Sequence, residues 1–193
     1  MLTARNLSKR FGAKRVFSRV DVSLEAGGFL LVTGPNGSGK TTLLRLCAGL
    51  FAPTGGELEV DVPRGAIGFL AHEPLVYREL TPLENLDLYG RLYRLPERRE
   101  RAGAMLERFG LWRVRNERVG TFSRGMLQRL ALCRAFLHDP DLLLLDEPFD
   151  GLDVEGADLL HGELAERLGV TALVATHDPE ALAGRATARL ALG

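Results

Sequence analysis

The chain has 193 residues, the length of one domain, and it is long enough to bury a substantial core. Its 25 basic and 25 acidic residues cancel, so no overall field would draw it to nucleic acid or acidic lipid. Its two cysteines fall on apolar helical stripes without metal-type spacing, which predicts buried thiols rather than a disulfide. The longest apolar run is four leucines, and no secretory segment is recognisable at the N-terminus, so we expect a cytoplasmic protein.

Short β patterns fill the first third of the chain. Alternating apolar residues bounded by turn residues predict strands, whereas apolar residues at every third or fourth position predict a helix. The predicted elements are, in order, strands Leu2–Leu7, Val16–Leu24 and Phe29–Thr33, a helix at Thr41–Leu50, a turn at Pro53–Gly56, and strands Glu57–Val60 and Ala66–Leu70. This part of the chain is therefore predicted to be rich in sheet.

The apolar period becomes helical from Thr81, and strands alternate with helices after Pro140. The predicted elements are helices from Thr81 to Pro96, from there to about Phe109, and from Ser123 to before Pro140, then strand Leu142–Leu145, helix Val154–Leu168, strand Val170–Ala175 and helix Pro179–Ala183. Such alternation is typical of a parallel sheet, so we predict a single α/β domain over 1–193. Its core would contain residues 1–74 and 138–193, with a helical subdomain at 75–137.

The most informative segment follows the third predicted strand. It satisfies the pattern Gly-x-x-x-x-Gly-Lys-[Ser/Thr], in which backbone N–H groups wrap the phosphates of a nucleotide. Its residues are Gly34, Pro35, Asn36, Gly37, Ser38, Gly39, Lys40, Thr41 and Thr42. A strand that leads through a glycine loop into a helix N-terminus concentrates partial positive charge on an anion. The alternative, an ordinary glycine-rich turn, is disfavoured because a chance match to this pattern is rare in a chain of this composition.

A pair of carboxylates follows the leucine strand at 142–145. Ligands of parallel sheets bind at the carboxyl ends of the strands, so Asp146 is expected near the glycine loop. Asp146 would hold Mg²⁺ through water, opposite the Thr41 hydroxyl, and Glu147 would orient or deprotonate the attacking water. The alternative is that both carboxylates are merely a polar strand end.

Ser123 and Gly125 begin the third predicted helix. A serine at a helix N-cap beside a glycine offers a hydroxyl and uncovered N–H groups to an anion. Taken alone, these residues are better explained as an ordinary helix cap.

Together these segments resemble the nucleotide-binding subunits of ABC transporters over essentially the whole chain. Gly34–Thr42 matches the Walker A loop, and Leu142–Glu147 matches the Walker B strand. Ser123–Met126 stands at the signature motif, Asp150–Asp153 resembles the D-loop, and Ala175–His177 resembles the switch-histidine loop. The resemblance implies a cassette with a mostly parallel core sheet, an N-terminal antiparallel β subdomain and an inserted helical subdomain.

The resemblance also implies roles for individual residues. Phe11 would stack on adenine, Lys40 would bind the β- and γ-phosphates of ATP, and Thr41 and Asp146 would bind Mg²⁺. Glu147 would be the catalytic base and His177 would contact the γ-phosphate. Two cassettes would pair head to tail, so that Ser123 and Gly125 of one complete the phosphate site of the other and Asp153 acts across the dimer.

The chain departs from the family pattern at three positions. Arg124 and Met126 replace the usual glycine and glutamine of the signature, although Ser123 and Gly125 remain. His72 stands where the family usually has a glutamine that reaches Mg²⁺ and water. An imidazole could accept or donate one hydrogen bond there, with a charge that depends on pH near about 6.5.

His72, the segment Leu80–Leu86 and the end after Leu192 resemble the ATPase subunits of cytochrome c maturation exporters, which are called haem exporters. The resemblance implies integral membrane partners, a position on the inner face of the cell membrane, and no nucleic-acid partner. Three alternatives stay open: an exporter of a drug, lipid or polysaccharide, a soluble ABC protein acting on DNA or ribosomes, and a cassette that binds ATP without hydrolysing it.

Overall fold

The computed structural model describes residues 1–167 and 169–193, which form two compact units. The first contains Met1–His72, Asp141–Glu147 and Gly169–Gly193. The second contains Glu73–Pro140 and the stretch from Pro148 that carries the fifth helix. The helical insertion expected at 75–137 lies in this second unit, which also includes residues after Pro148 that the sequence assigns to the core.

Eight strands and five α-helices make up the regular structure of the described residues. In chain order, the strands are β1 (Leu2–Phe11), β2 (Lys14–Leu24), β3 (Phe29–Thr33), β4 (Gly55–Val60), β5 (Ile67–Leu70), β6 (Leu142–Asp146), β7 (Thr171–Ala175) and β8 (Ala188–Ala191). The helices are α1 (Lys40–Cys47), α2 (Pro82–Leu92), α3 (Arg98–Arg108), α4 (Arg124–Phe136) and α5 (Val154–Glu166). The predicted helix end at Leu168 lies outside the described residues.

The first unit contains two sheets. A three-stranded antiparallel sheet has the order β2-β1-β4, and its hairpin pairs Phe11 with Lys14. A five-stranded sheet has the order β5-β6-β7-β3-β8, and all of its pairings are parallel. The strands β6 and β7 are buried along their whole length, as is usual where both faces of a parallel sheet are covered. Helix α1 packs into this core through its apolar face, which includes Leu43 and Leu46.

The second unit is helical. Thr81 begins α2 with a capping box, because its hydroxyl accepts from Glu84 N while the Glu84 carboxylate accepts from Thr81 N. Its core contains the fully buried Phe109 and Phe136, whose ring centroids lie 6.0 Å apart. A buried carboxylate, Glu163 of α5, accepts a hydrogen bond of 2.9 Å from Arg108 of α3.

The predicted fold class is confirmed, and most element positions agree within a few residues. One prediction was wrong. Residues 53–56 do not form only a turn, because Gly55 and Gly56 begin β4, and a Cβ at Gly56 would lie 2.2 Å from the Asn6 carbonyl oxygen of β1. The helix predicted at Pro179–Ala183 is present as a 3₁₀ helix at Glu180–Arg185.

Strand β8 was not predicted, because a four-residue strand of alternating burial gives a weak pattern. Both cysteines are buried free thiols, as expected, and burial raises the pKa of Cys47 to about 12. In the described part of the chain, no helix is both long enough and apolar enough to cross a lipid bilayer.

Candidate nucleotide site

The glycine loop lies between the end of β3 and the start of α1. Gly39 is the N-cap of α1 with φ 104°, and no side chain caps the helix. The first turn of α1 contains no acidic residue that would occupy the positive end of the helix dipole. A Cβ at Gly39 would lie 2.7 Å from Val16 Cγ1, and one at Gly34 would lie 2.1 Å from the Leu192 carbonyl oxygen. Glycine at these two positions therefore lets the loop pass close to its neighbours.

Lys40 is buried, with 7% of its side chain exposed. Its Nζ donates a hydrogen bond of 2.9 Å to the Gly34 carbonyl oxygen and lies 3.7 Å from Glu147 Oε1. The ammonium group thus folds back across the loop and pairs with the carboxylate at the end of β6. In phosphate-binding loops of this sequence pattern, the lysine ammonium group binds the oxygens of a polyphosphate.

Asp146 ends β6 and is 1% exposed. Burial raises the pKa of its carboxyl above the ordinary value, while a hydrogen bond with Thr41 and the nearby charge of His72 oppose that rise. Its Oδ2 is buried and has no hydrogen-bond partner within the part of the chain that the structure describes. An unsatisfied buried carboxylate oxygen beside a threonine hydroxyl is suited to a hydrated cation.

Glu147 adopts a left-handed backbone conformation, with φ 49°. Its N–H donates to the Ala175 carbonyl oxygen at 2.8 Å, which ties it to the end of β7. Its Oε2 accepts a hydrogen bond of 3.0 Å from His177 N and lies 2.8 Å from His177 Nδ1. The strained backbone therefore directs this carboxylate between Lys40 and His177, as is common for residues at functional sites.

A cavity of about 400 Å³ lies beside Lys40, Asp146 and Glu147 within the first unit. Its lining residues are Phe11, Lys14, Val16, Asn36, Gly37, Gly39, Lys40, Thr41, Thr42, His72, Asp146 and Glu147. This size is typical of pockets for small molecules and cofactors. The structure thus brings together residues that the sequence predicted from four separate segments.

Phe11 lines this cavity and is 46% exposed. Its ring meets the Phe51 ring edge to face, with centroids 5.3 Å apart, and Lys9 Nζ lies 4.8 Å from the Phe11 centroid. Lys9 Nζ is held there by a hydrogen bond of 2.7 Å to the Ala52 carbonyl oxygen. Phe11 is therefore a supported aromatic surface with an exposed part.

Two lining residues were missed by sequence analysis, Lys14 and Val16. The signal that could have found them is the two-residue hairpin after Phe11, since it returns Lys14 opposite Phe11. Gly34, Pro35 and Ser38 lie in the same loop, and the buried Ser38 Oγ has no hydrogen-bond partner among the described residues.

Ser123, Gly125 and Asp153 belong to the second unit. Ser123 is the N-cap of α4, where its Oγ accepts a hydrogen bond of 3.3 Å from Met126 N. Asp153 is the N-cap of α5 and accepts a hydrogen bond of 2.9 Å from Gly156 N. Both residues therefore have capping roles within the single chain.

The parallel sheet, the glycine loop and the cavity define a P-loop nucleotide-binding protein. The family model described as ABC transporter matches residues 17–150, more than half of the chain. The chain therefore belongs to the ABC transporter family and to its class of ATPases.

Curated relatives agree with this membership. The chain is 39% identical over 175 residues to the ABC transporter ATP-binding protein NatA of Bacillus subtilis (strain 168), with 82% of this chain and 71% of NatA covered. It is 40% identical over 166 residues to a daunorubicin resistance ATP-binding protein of Streptomyces coeruleorubidus, with 80% of this chain and 52% of that protein covered. The chain spans less than two thirds of the length of most of the curated relatives it matches, with 52% to 61% of the relative covered in seven of them.

Solved structures give the same result for the fold. An ATP-binding subunit of an ABC transporter superposes with a TM-score of 0.91 at 28% identity, covering all of this chain and 85% of that one. The ATP-binding cassette MJ0796, in a dimeric post-hydrolysis state bound to ADP and Pi, superposes with a TM-score of 0.82 at 31% identity. That match covers 94% of this chain and 90% of the MJ0796 chain.

Proposed function

We propose that this protein binds and hydrolyses ATP, and that hydrolysis drives a membrane exporter through head-to-tail pairing of two cassettes. The observation that carries the proposal is the meeting of Lys40, Thr41, Asp146 and Glu147 in one cavity at the N-terminus of α1. The cassette MJ0796 supports it, since that relative is a dimer in its ADP- and Pi-bound state. The second cassette would be another copy or a homologous subunit.

The triphosphate of ATP would lie along the glycine loop, against the N–H groups of Gly37, Gly39 and the first turn of α1. Lys40 Nζ would exchange its contacts with the Gly34 carbonyl oxygen and Glu147 for phosphate oxygens. Adenine would stack on the exposed part of Phe11, which lines the same cavity. Asn36, Pro35, Ser38 and Thr42 would shape the loop around the phosphates.

Glu147 would act as the general base. Its carboxylate lies 3.7 Å from Lys40 Nζ and 2.8 Å from His177 Nδ1. When phosphate takes Lys40, the carboxylate loses that cation and becomes a better proton acceptor for the attacking water. His177 would hold the carboxylate in place and contact the γ-phosphate, and His72, which lines the same cavity, would help to orient the water.

Mg²⁺ would be held by the Thr41 hydroxyl and, through water, by Asp146. The unpaired Asp146 Oδ2 fits this role. Within residues 1–167 and 169–193 no group of three or more His, Cys, Asp or Glu side chains could hold a metal alone. Phosphate and water would therefore supply most ligands, as Mg²⁺ prefers in nucleotide sites. When bound, the ion would neutralise charge that develops on the phosphates.

A second cassette would complete the phosphate site with its Ser123 hydroxyl and the N–H of its Gly125, and Asp153 would act across the dimer. Each cassette alone would then lack part of the catalytic machinery, so pairing would be the switch. Integral membrane subunits would convert closure of the pair into transport, which would place this chain peripherally on the inner face of the membrane.

The exporter we propose is of the haem type that serves cytochrome c maturation. His72 and the segment Leu80–Leu86 support this assignment through their resemblance to that group. The second candidate is an exporter of another substrate, favoured by the 40% identity to a daunorubicin resistance protein. Affinity purification from membranes, followed by identification of the integral subunit retained, separates the two candidates.

Replacement of Lys40 by Ala tests the nucleotide site. We expect ATP affinity to fall by at least a hundredfold in calorimetry, because the loop loses the buried ammonium group that would bind the phosphates. Arg5→Ala removes an exposed cation of β1 whose partner, Glu57, is also exposed, and should leave ATP affinity unchanged. Equal ATP affinity in the Lys40→Ala variant and the native protein would contradict the proposal.

A further inference from the structure

Helix α4 contacts the segment Pro148–Asp153, which we call the D segment, at several points within the second unit. The buried Gln128 side chain donates a hydrogen bond of 3.1 Å from Nε2 to the Pro148 carbonyl oxygen. One helical turn earlier, Arg124 Nη2 donates a hydrogen bond of 2.6 Å to Asp150 Oδ2. Residues four apart lie on the same face of a helix, so both contacts are made by one side of α4.

Backbone geometry brings the same two segments together. A Cβ at Gly125 would lie 3.0 Å from the Gly151 carbonyl oxygen, so this glycine permits a close approach. Gly151 has φ 79°, and a Cβ there would meet the Arg124 side chain at 2.8 to 3.0 Å. The stem of Arg124 therefore lies over Gly151 while its guanidinium group reaches Asp150.

A third contact lies at the end of the D segment. Arg129 Nη2 is 3.7 Å from Asp153 Oδ2, and Asp153 Oδ1 caps α5 through Gly156 N. Gln128, Arg124 and Arg129 of α4 thus contact the beginning, middle and end of the D segment. Of these contacts, the pair of Arg124 with Asp150 is the one that an ABC signature with glycine at this position could not make.

We propose that Arg124 is a positioning residue, which fixes the D segment to the start of α4 so that Ser123 and Asp153 reach a partner cassette together. The proposal rests on the proposed function, in which both residues act on the second cassette. Arg124 itself need not touch ATP, because its guanidinium group is engaged by Asp150. Arg124, where the signature motif usually has glycine, would then affect ATP turnover by holding the D segment in place.

This role is separable from folding. The Arg124 side chain is 71% exposed, and exposed ion pairs contribute little to the stability of a fold. The hydrogen bond from Gln128 and the cap at Asp153 would remain when the pair is removed. The expected loss is therefore one of position at residues 149–151.

The test is a double-mutant cycle on ATP turnover with Arg124→Ala, Asp150→Ala and the double variant. Each single variant should lower kcat about tenfold, since a small misplacement of the D segment slows the chemical step. The KM for ATP should stay within about twofold, because the nucleotide is bound by the glycine loop of the other cassette, which the variants leave intact. The double variant should be no slower than the slower single variant, because both substitutions remove the same interaction. Arg124→Lys should restore much of kcat, as it keeps a cation for Asp150.

Arg101→Ala, which removes an exposed arginine of α3, is the matched control and should turn over at the native rate. Hydrogen exchange at Leu152, whose N–H donates to the Phe149 carbonyl oxygen, should be faster in Arg124→Ala than in the control. A native kcat in Arg124→Ala would overturn this inference and leave the proposed function standing. The same holds if the effects of the two single substitutions multiply in the double variant. A native protein that neither hydrolyses ATP nor pairs would overturn the proposed function and this inference with it.

Discussion

The contact between Lys40 and Glu147 makes a quantitative prediction for nucleotide affinity. The two groups lie 3.7 Å apart and are largely buried, with 7% and 13% of their side chains exposed. At an effective dielectric constant of about 20, two unit charges at this distance attract by about 4.5 kcal/mol. A phosphate that takes over Lys40 must replace this attraction and also approach a negative carboxylate.

We therefore expect Glu147→Gln to bind ADP about tenfold more tightly than the native protein, since recovery of about a third of that attraction is worth roughly 1.4 kcal/mol. ADP is the better ligand for this measurement, because it avoids both hydrolysis and pairing driven by ATP. The amide can still accept the hydrogen bond from His177 N, so the local geometry should persist. In the same variant ATP turnover should fall by about 10² to 10⁴, the usual contribution of a general base.

Titration calorimetry with ADP measures the first effect, and a phosphate-release assay measures the second. Glu25→Gln removes an exposed carboxylate that is not part of the cavity lining and should match the native protein in both assays. An ADP affinity that is unchanged or weaker in Glu147→Gln would show that the carboxylate does not compete for Lys40. Native turnover in that variant would show that Glu147 is not the base.

Two further substitutions test the loop and the buried carboxylate. Gly39→Ala should lower the free energy of unfolding by about 1 to 3 kcal/mol in urea titrations, because the new Cβ would lie 2.7 Å from Val16 and the backbone has φ 104°. The control is Gly162→Ala in α5, whose Cβ would meet nothing within 4 Å and which should not destabilise the protein. Asp146→Asn should raise the Tm of the ligand-free protein at pH 8, because burial raises the pKa of this carboxyl and its ionised form costs stability once pH exceeds the unfolded value. That gain should vanish near pH 3, where the carboxyl is largely protonated in both states, and a gain that persists there would contradict the electrostatic cause.

The sequence was sufficient where local chemistry decides structure. The glycine loop, the leucine strand before Asp146 and the cap at Ser123 each follow from a short pattern, and each lies where it was predicted. Gly55 and Gly56 were misassigned because their extended conformation depends on pairing with β1, which is distant in sequence. Sequence patterns do not report such pairing.

Side-chain partners were the other class of feature that patterns could not supply. Motif matching gave Lys40, Glu147 and His177 separate roles, but it could not show that Glu147 contacts both Lys40 and His177. The sequence shows Arg124 only as a departure from the signature pattern, whereas in the structure its guanidinium group bonds Asp150, 26 residues away. Those contacts depend on rotamers and packing, which become defined only when the elements are assembled.

The strand order has a consequence for biosynthesis. Strand β7 lies between β3 and β6, so the glycine loop and Asp146 are held two strand spacings apart by Thr171–Ala175. While Thr171–Ala175 are still inside the ribosome, the nascent chain lacks the strand that sets this spacing, even though its glycine loop has already been made. Nucleotide capture should therefore begin only after Thr171–Ala175 have left the ribosome, well after the glycine loop has been made.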